Sequence, residues 1–253
     1  WGLLVAAILL SLIGIITVLL ALIIGAVLPD ALDGAVSGDG QFVMDNIAVV
    51  DSFVPLGAMR ETFAAISDTL PAHALVTDAG SAKGSVVADC QAAAPRLLPR
   101  FIPGHPIAGT EKNGVEASFA ELYRQRRVIL TPLAENATQS VAVVRRMWEA
   151  CGAEVTEMSV VHHDEVLAAT SHLPHMLAFG LVDMLARLEE NDEIFRYAAG
   201  GFRDFTRIAS SNPVMWRDIC IANREALGPM LSGFAEELNT LATQIGSADG
   251  EAL

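Results

Sequence analysis

The sequence predicts an α/β domain with a mostly parallel sheet covered on both faces, followed by an all-helical half. Between Asn46 and Met158 short β-rich runs alternate with stretches of helical period, the pattern of strands joined by crossover helices. After Val161 the strand signals stop. Several later stretches, residues 176–185 among them, are so apolar that one partner face cannot cover them. The expected division is residues 1–159, of which 1–52 are unusually apolar, and residues 160–253.

The elements follow in order. Residues 47–54 form a short β-rich run ended by Pro55, and residues 56–70 place Leu56, Met59, Phe63 and Ile66 on one helix face. Residues 74–77 read as a buried strand that leaves into the small-residue loop 78–84. Ser85 is the expected cap of the helix running toward Ala94. Phe101 and Ile102 close the next strand, and residues 103–112 read as the loop leaving it. Residues 127–130 are a strand stopped by Thr131-Pro132. Residues 137–151 are a helix with Val141, Val144, Trp148 and Cys151 apolar, and residues 154–158 are the last strand. Residues 162–188 read as a helical hairpin or as one long helix kinked at Pro174. Residues 191–209 and 212–245 continue helical, broken at Gly200-Gly201, with Pro213 fitting a first turn.

The chain of 253 residues has a formal net charge of −14, which argues against a nucleic-acid binder. Cys90, Cys151 and Cys220 are odd in number and lack C-x-x-C spacing. That fits free thiols in a reducing cytoplasm rather than a disulfide framework or a zinc site. The hydrophobic fraction of 52% exceeds the usual globular share, and the excess sits before Asp30, where no residue is charged. On hydropathy alone residues 3–28 are a transmembrane candidate. A signal peptide fits worse, for want of a basic start. A buried β-α-β unit would need a polar helix face, and the stretch offers only Ser11 and Thr17. Residues 31–45 turn Gly- and Asp-rich and read as loop. The chain opens on Trp1 rather than Met, so a start further upstream is expected.

Chemistry-bearing residues fall in four places. In residues 103–112 two prolines and two glycines fix the backbone around His105, with Glu111 six residues on. A rigid loop presenting an imidazole near a carboxylate suits general acid–base work; the plainer reading is a surface turn. Ser81 and Lys83 lie in a glycine-flanked loop after a strand. Its N–H groups and the following helix N-terminus suit an anionic or polar ligand, with a simple strand–helix turn as the alternative; the spacing is not that of a Walker loop. His172 and His175 lie three apart without a carboxylate or cysteine at ligand spacing. A polar cluster lining a pocket is therefore favoured over a metal site, and no metal is expected. Asp204 and Arg207 are spaced to pair on one helix side. Arg207 is then either half of a solvated ion pair or a bidentate clamp for a carboxylate.

Taken together, Asp78-Ala-Gly-Ser-Ala-Lys-Gly84, Gly104-His-Pro-Ile-Ala-Gly-Thr-Glu111, Thr170-Ser-His-Leu-Pro-His175, Gly200-Gly-Phe-Arg-Asp-Phe-Thr-Arg-Ile-Ala209 and Ser211-Asn-Pro-Val-Met-Trp-Arg-Asp218 resemble, in order and spacing, the prephenate/arogenate (cyclohexadienyl) dehydrogenase family. The likeness runs roughly from Val54 to Leu241. It implies a Rossmann-type dinucleotide-binding domain and a helical domain that forms a homodimer. It also implies cytoplasmic oxidation of prephenate or arogenate with NAD or NADP, with loss of carbon dioxide, in tyrosine biosynthesis, and tyrosine as a feedback ligand. By the same resemblance His105 binds the ring hydroxyl and draws its proton, and Ser81 positions that hydroxyl and the nicotinamide. Arg207 binds a substrate carboxylate, His175 and Glu111 line and gate the pocket, and Pro55 and Gly80 join Ser81 in cofactor binding. The family opens on Gly-x-Gly-x-x-Gly. The nearest stretch here, Leu9-Leu-Ser-Leu-Ile-Gly14, keeps only the last glycine, and Asp30 and Asp33 are the candidates for the ribose acid. The alternative is a membrane-anchored relative that binds no cofactor and acts as a binding or structural protein; a different hydroxy-acid substrate is a third reading.

Overall fold

The computed structural model describes the backbone of residues 47–50 and residues 56–109, 119, 121–248, 250 and 251 in full. Strand β1 (Ile47–Val50) pairs in parallel with β2 (Leu75–Asp78), and helix α1 (Met59–Ser67) crosses between them. Helix α2 (Lys83–Ala93) leads through a 3₁₀ turn at Pro95–Arg100 to a parallel bridge between Val76 and Phe101. Strand β4 (Arg127–Leu130), helix α3 (Thr138–Ala150) and β5 (Glu154–Glu157) form a second parallel unit. Adjacent residues of an extended chain face opposite sides, and the core follows. Leu75 and Ile102 join Val128, Leu130, Val144, Met147 and Trp148 under α3. Val76 and Phe101 join Met59, Phe63, Val86 and Cys90 under α1 and α2. The sheet is therefore covered on both faces, as its β-rich runs predict.

Two local expectations are corrected. The segment around His105, expected as loop, contains strand β3 (Gly104–Pro106). It runs antiparallel to β4 with His105 opposite Ile129. Pro106 cannot donate to a ladder, but β3 is the end strand of this three-stranded ladder, where proline is tolerated. Ser85 does not cap α2. The helix starts at Lys83, which leaves Ser85 inside the first turn with its hydroxyl 3.5 Å from the Ala82 carbonyl. The cap comes from Asp164, whose carboxylate oxygens accept the N–H groups of Lys83 and Gly84, each at 2.8 Å. Gly84 permits this approach, since a Cβ there would lie 2.9 Å from Asp164 Oδ2.

The remainder is helical. Helix α4 (Val160–Leu167) continues through a π-helical segment, Ala168–His172, into α5 (Leu173–Ala186). Of the two readings offered by the sequence, one long helix is the one observed. Its irregularity precedes Pro174, which lacks the N–H an α-turn needs. Helix α6 (Asn191–Arg196) and α7 (Gly200–Thr206) are separated at residues 197–199, so the glycine pair opens α7 instead of breaking a helix. Helix α8 (Pro213–Ala222), capped by the Asn212 side chain, is divided from α9 (Arg224–Gly246) at Asn223. Apolar side chains remain exposed over this half, among them Val161, Met184, Tyr197, Phe205, Ile221 and Ile245, and α5 buries only Ala178. Among the described residues no helix is long and apolar enough to cross a membrane; the apolar run 3–28 lies outside them.

One ion pair ties the sheet together. Lys83 Nζ and Asp78 Oδ2 are in contact with both side chains fully buried. Lys83 also donates to the Gly104 carbonyl at 2.6 Å, and Asp78 accepts the N–H groups of Gly80 and Gly104 at 2.8 and 3.1 Å. Removing one member leaves an uncompensated buried charge. Lys83→Met is expected to lower unfolding stability by about 3–5 kcal/mol, read from the urea midpoint; a loss below about 1 kcal/mol, the worth of an exposed pair, would show that the pair is not structural.

Candidate active site

The ion pair brings the two sequence-predicted loops to one place. Asp78 holds Gly80, which precedes Ser81, and Gly104, which precedes His105, on the same carboxylate. A Cβ on Gly104 would lie 3.0 Å from the Asp78 carbonyl oxygen, so only glycine allows β3 this close to the end of β2. Lys83 is spent on this pairing and the first N–H groups of α2 are spent on Asp164. The expected anion site at this helix N-terminus is therefore filled by the protein itself, which leaves half-buried Ser81 as the outward part of the loop.

His105 is buried and its Nδ1 lies 2.9 Å from Nε2 of His163, whose Nδ1 lies 2.8 Å from Asp164 Oδ1. The direction of these bonds follows from their end. Burial disfavours the Asp164 charge, but hydrogen bonds from His163 and from the N–H groups of Lys83 and Gly84 outweigh it, so its pKa lies below the ordinary carboxylate value. An ionised carboxylate only accepts. His163 Nδ1 therefore carries the proton, its Nε2 accepts, and His105 Nδ1–H donates. Nε2 of His105 is left as a bare lone pair. Burial first, then the electrostatic influence of Lys83, His163 and His172, pushes the His105 pKa well below its ordinary value, so the ring is neutral at neutral pH.

A second polar group lies in the helical half. Asn223 Nδ2 donates to the Asp164 carbonyl at 2.8 Å and to His172 Nδ1 at 3.0 Å. His172 therefore carries its proton on Nε2, which is buried without a hydrogen-bond partner, as is Trp216 Nε1. His175 stacks on Trp216 with ring centroids 3.5 Å apart and donates from Nδ1 to the Ser171 carbonyl at 2.9 Å. Burial lowers its pKa, the Ser171 carbonyl opposes this, and the charge of Arg207 lowers it further. Arg207 opens a 3₁₀ turn, Arg207–Ser210, and is exposed. Two buried donors without partners beside a neutral imidazole and a guanidinium suit a ligand rich in acceptor oxygens.

Of the sequence-predicted residues, Gly80, Ser81 and His105 share one anchor, and His175 and Arg207 share one electrostatic neighbourhood. Pro55 and Glu111 lie outside the described residues. Sequence reasoning missed His163 and Asp164 as site residues, and it did not foresee Asn223. The available signal was an adjacent His-Asp pair at the start of the first helix after the last strand.

Residues 38–157 match the family model described as prephenate dehydrogenase, nucleotide-binding domain, and residues 159–253 match prephenate dehydrogenase, dimerization domain. The cyclohexadienyl dehydrogenase of Zymomonas mobilis is 42% identical over 220 residues, covering 86% of this chain and 74% of that protein. The prephenate dehydrogenase of Bacillus subtilis is 37% identical over 180 residues, 71% of this chain; this chain spans about half of that relative, 48%. Among solved structures, prephenate dehydrogenase from Aquifex aeolicus in complex with hydroxyphenyl propionate and NAD+ is similar with a TM-score of 0.74 and 39% identity, covering 89% of this chain and 80% of that one. Synechocystis arogenate dehydrogenase is similar with a TM-score of 0.69 and 26% identity, covering 81% and 73%.

The buried histidines set a pH dependence. Burial pushes the His172 pKa from 6.5 down to about 4. The unfolded chain then binds a proton that the fold refuses, so stability rises with pH across this window. The urea midpoint is expected to fall as pH drops from about 6.5 to about 4, and His172→Gln should flatten that slope. An unchanged slope in the variant would show that His172 is not buried in its neutral form.

Proposed function

The chain belongs to the prephenate dehydrogenase family, and on that premise we propose that it oxidises prephenate or arogenate with NAD or NADP, with loss of carbon dioxide, as a step of tyrosine biosynthesis. The observation that carries the reading is the buried, neutral His105. Its Nδ1–H is engaged, its Nε2 is bare, and it stands on the carboxylate that also holds the Ser81 loop. Oxidation at a carbinol carbon builds positive character there, and a neutral base on the hydroxyl stabilises it by accepting the proton. Loss of the ring carboxylate as carbon dioxide then completes the aromatic ring. Ser81, half-buried at the mouth of the β2–α2 loop, orients the hydroxyl against the base. His175 and Arg207 take a substrate carboxylate; the two partnerless donors of His172 and Trp216 favour an oxygen-rich ligand in that place.

The residues present fit the neutral end of a dinucleotide. In open α/β sheets such ligands lie beyond the carboxyl ends of the strands, where Gly80 and Ser81 stand after β2. The α2 N-terminus, occupied by Asp164, is not offered to phosphate. When bound, the nicotinamide supplies the oxidising power. Pro55 beside this loop and Glu111 as a gate complete the assignment. The exposed apolar faces of α5 and α9 support a homodimer through the helical half. We extend the reading to tyrosine as a feedback ligand and to a cytoplasmic location.

Purified protein is expected to reduce NAD or NADP when given prephenate or arogenate, and His105→Asn to lower kcat by at least about 10²-fold with KM nearly unchanged. Near-parental turnover in that variant would remove His105 from the chemistry.

Arg207→Lys keeps the charge and loses the planar fork. Substrate binding is expected to weaken by about 1.5–3 kcal/mol, the worth of hydrogen bonds to a charged group, with cofactor Kd unmoved. If both constants shift together, Arg207 is a structural residue.

A further inference from the structure

We propose that His163 and Asp164 are positioning residues that act through His105, fixing which of its ring nitrogens carries the proton and tying that choice to the contact between the helical half and the loop after β2. The inference rests on the reading of His105 as the base. It also assigns a role to two residues that no motif of the sequence singled out.

The geometry is a directed chain of hydrogen bonds. It starts at Asp164, whose oxygens accept the first two N–H groups of α2, at Lys83 and Gly84. The same carboxylate accepts from His163 Nδ1 at 2.8 Å, and His163 Nε2 accepts from His105 Nδ1 at 2.9 Å. His163 is fully buried and His105 nearly so, so water does not compete for these bonds. The groups facing His105 are Lys83, His163 and His172. The Lys83 ammonium is paired with Asp78. Asp164 is therefore the one anion at the end of the His105 chain. Two consequences follow. A neutral imidazole has one donor and one acceptor nitrogen; with Nδ1–H held by His163, Nε2 must be the acceptor, the form a base on a hydroxyl requires. When Nε2 takes a proton, the positive charge on the ring is stabilised through His163 toward Asp164, which offsets part of the cost of charging a buried ring.

The chain also couples two parts of the protein. Asp164 stands on α4 and caps α2, which has no side-chain cap of its own because Ala82 holds that position. Any shift of α4 away from α2 breaks the cap and the tautomer lock together. The expected result of docking the helical half onto the sheet is a correctly protonated base.

The tautomer can be read without turnover. Long-range imidazole ¹H–¹⁵N correlation spectra of the full ¹⁵N-labelled chain at neutral pH, with His105 assigned from the signals lost in His105→Asn, are expected to show protonated Nδ1 and bare Nε2. In Asp164→Asn the amide can donate to His163 Nδ1, which reverses both bonds; His105 is expected to switch to protonated Nε2, with kcat lowered by about 10²-fold or more and KM within about threefold. His163→Phe leaves the α2 cap intact, so it tests the chain even if Asp164→Asn weakens the fold. It should lose the single tautomer and lower kcat by a similar factor, while His163→Gln, whose amide oxygen can still accept from His105, should recover at least about tenfold over phenylalanine. Parental spectra with protonated Nε2, or variants that keep the parental tautomer and turnover within about threefold, would overturn the proposal. A parent with the expected tautomer that oxidises neither prephenate nor arogenate would instead overturn the proposed function and leave the positioning role standing.

Discussion

The Asp78–Lys83 ion pair is the interaction on which the described part of the first domain depends. Both groups are fully buried, and neither would be tolerated there alone. Their remaining hydrogen-bonding capacity is spent on the backbone of Gly80 and Gly104. A single buried network thus holds the end of β2, the start of α2 and the start of β3. An ion pair of this kind contributes little to net stability compared with an apolar replacement. What it contributes here is position: the two loops that carry Ser81 and His105 are fixed to one carboxylate, and neither can move without exposing a charge.

The second constraint joins the two halves of the chain. Helix α2 opens on Lys-Gly-Ser and carries no cap of its own, while α4 brings Asp164 within 2.8 Å of its first two N–H groups. A carboxylate at a helix N-terminus is favoured by the unpaired donors and by the helix dipole. Here that local preference is satisfied by a residue some eighty positions away. The same carboxylate orients His163 and through it His105. Packing between the halves and the protonation pattern of the site are therefore one arrangement and not two.

The helical half carries the third constraint. Within one chain α5 buries only Ala178, and large apolar side chains such as Met184, Phe205 and Ile245 face outward. Its polar interior is small and specific: Asn223 holds His172 by one ring nitrogen, and His175 lies flat on Trp216. The half is thus organised to present a few polar groups toward the sheet and a broad apolar surface elsewhere, as a dimerisation domain requires.

The sequence by itself determined the alternation of strands and helices, the switch to an all-helical half, and the motifs around Ser81, His105, His175 and Arg207. These are local signals: hydrophobic period, proline and glycine placement, and residue types at fixed spacing. The same local signals misled at His105, where flanking prolines and glycines spelled a loop. The strand there is made by pairing with β4, a partner more than twenty residues on. They misled at Ser85 as well, because the cap of α2 belongs to Asp164 and no window of sequence contains both. Lys83 looked like a ligand group in its loop, and only burial against Asp78 withdrew it. Tertiary structure alone decided which residues meet, and so which carboxylates remain ionised and which ring nitrogen of His105 is bare. A hydrogen bond's direction is set by the last partner in its chain, and that partner is brought there by folding.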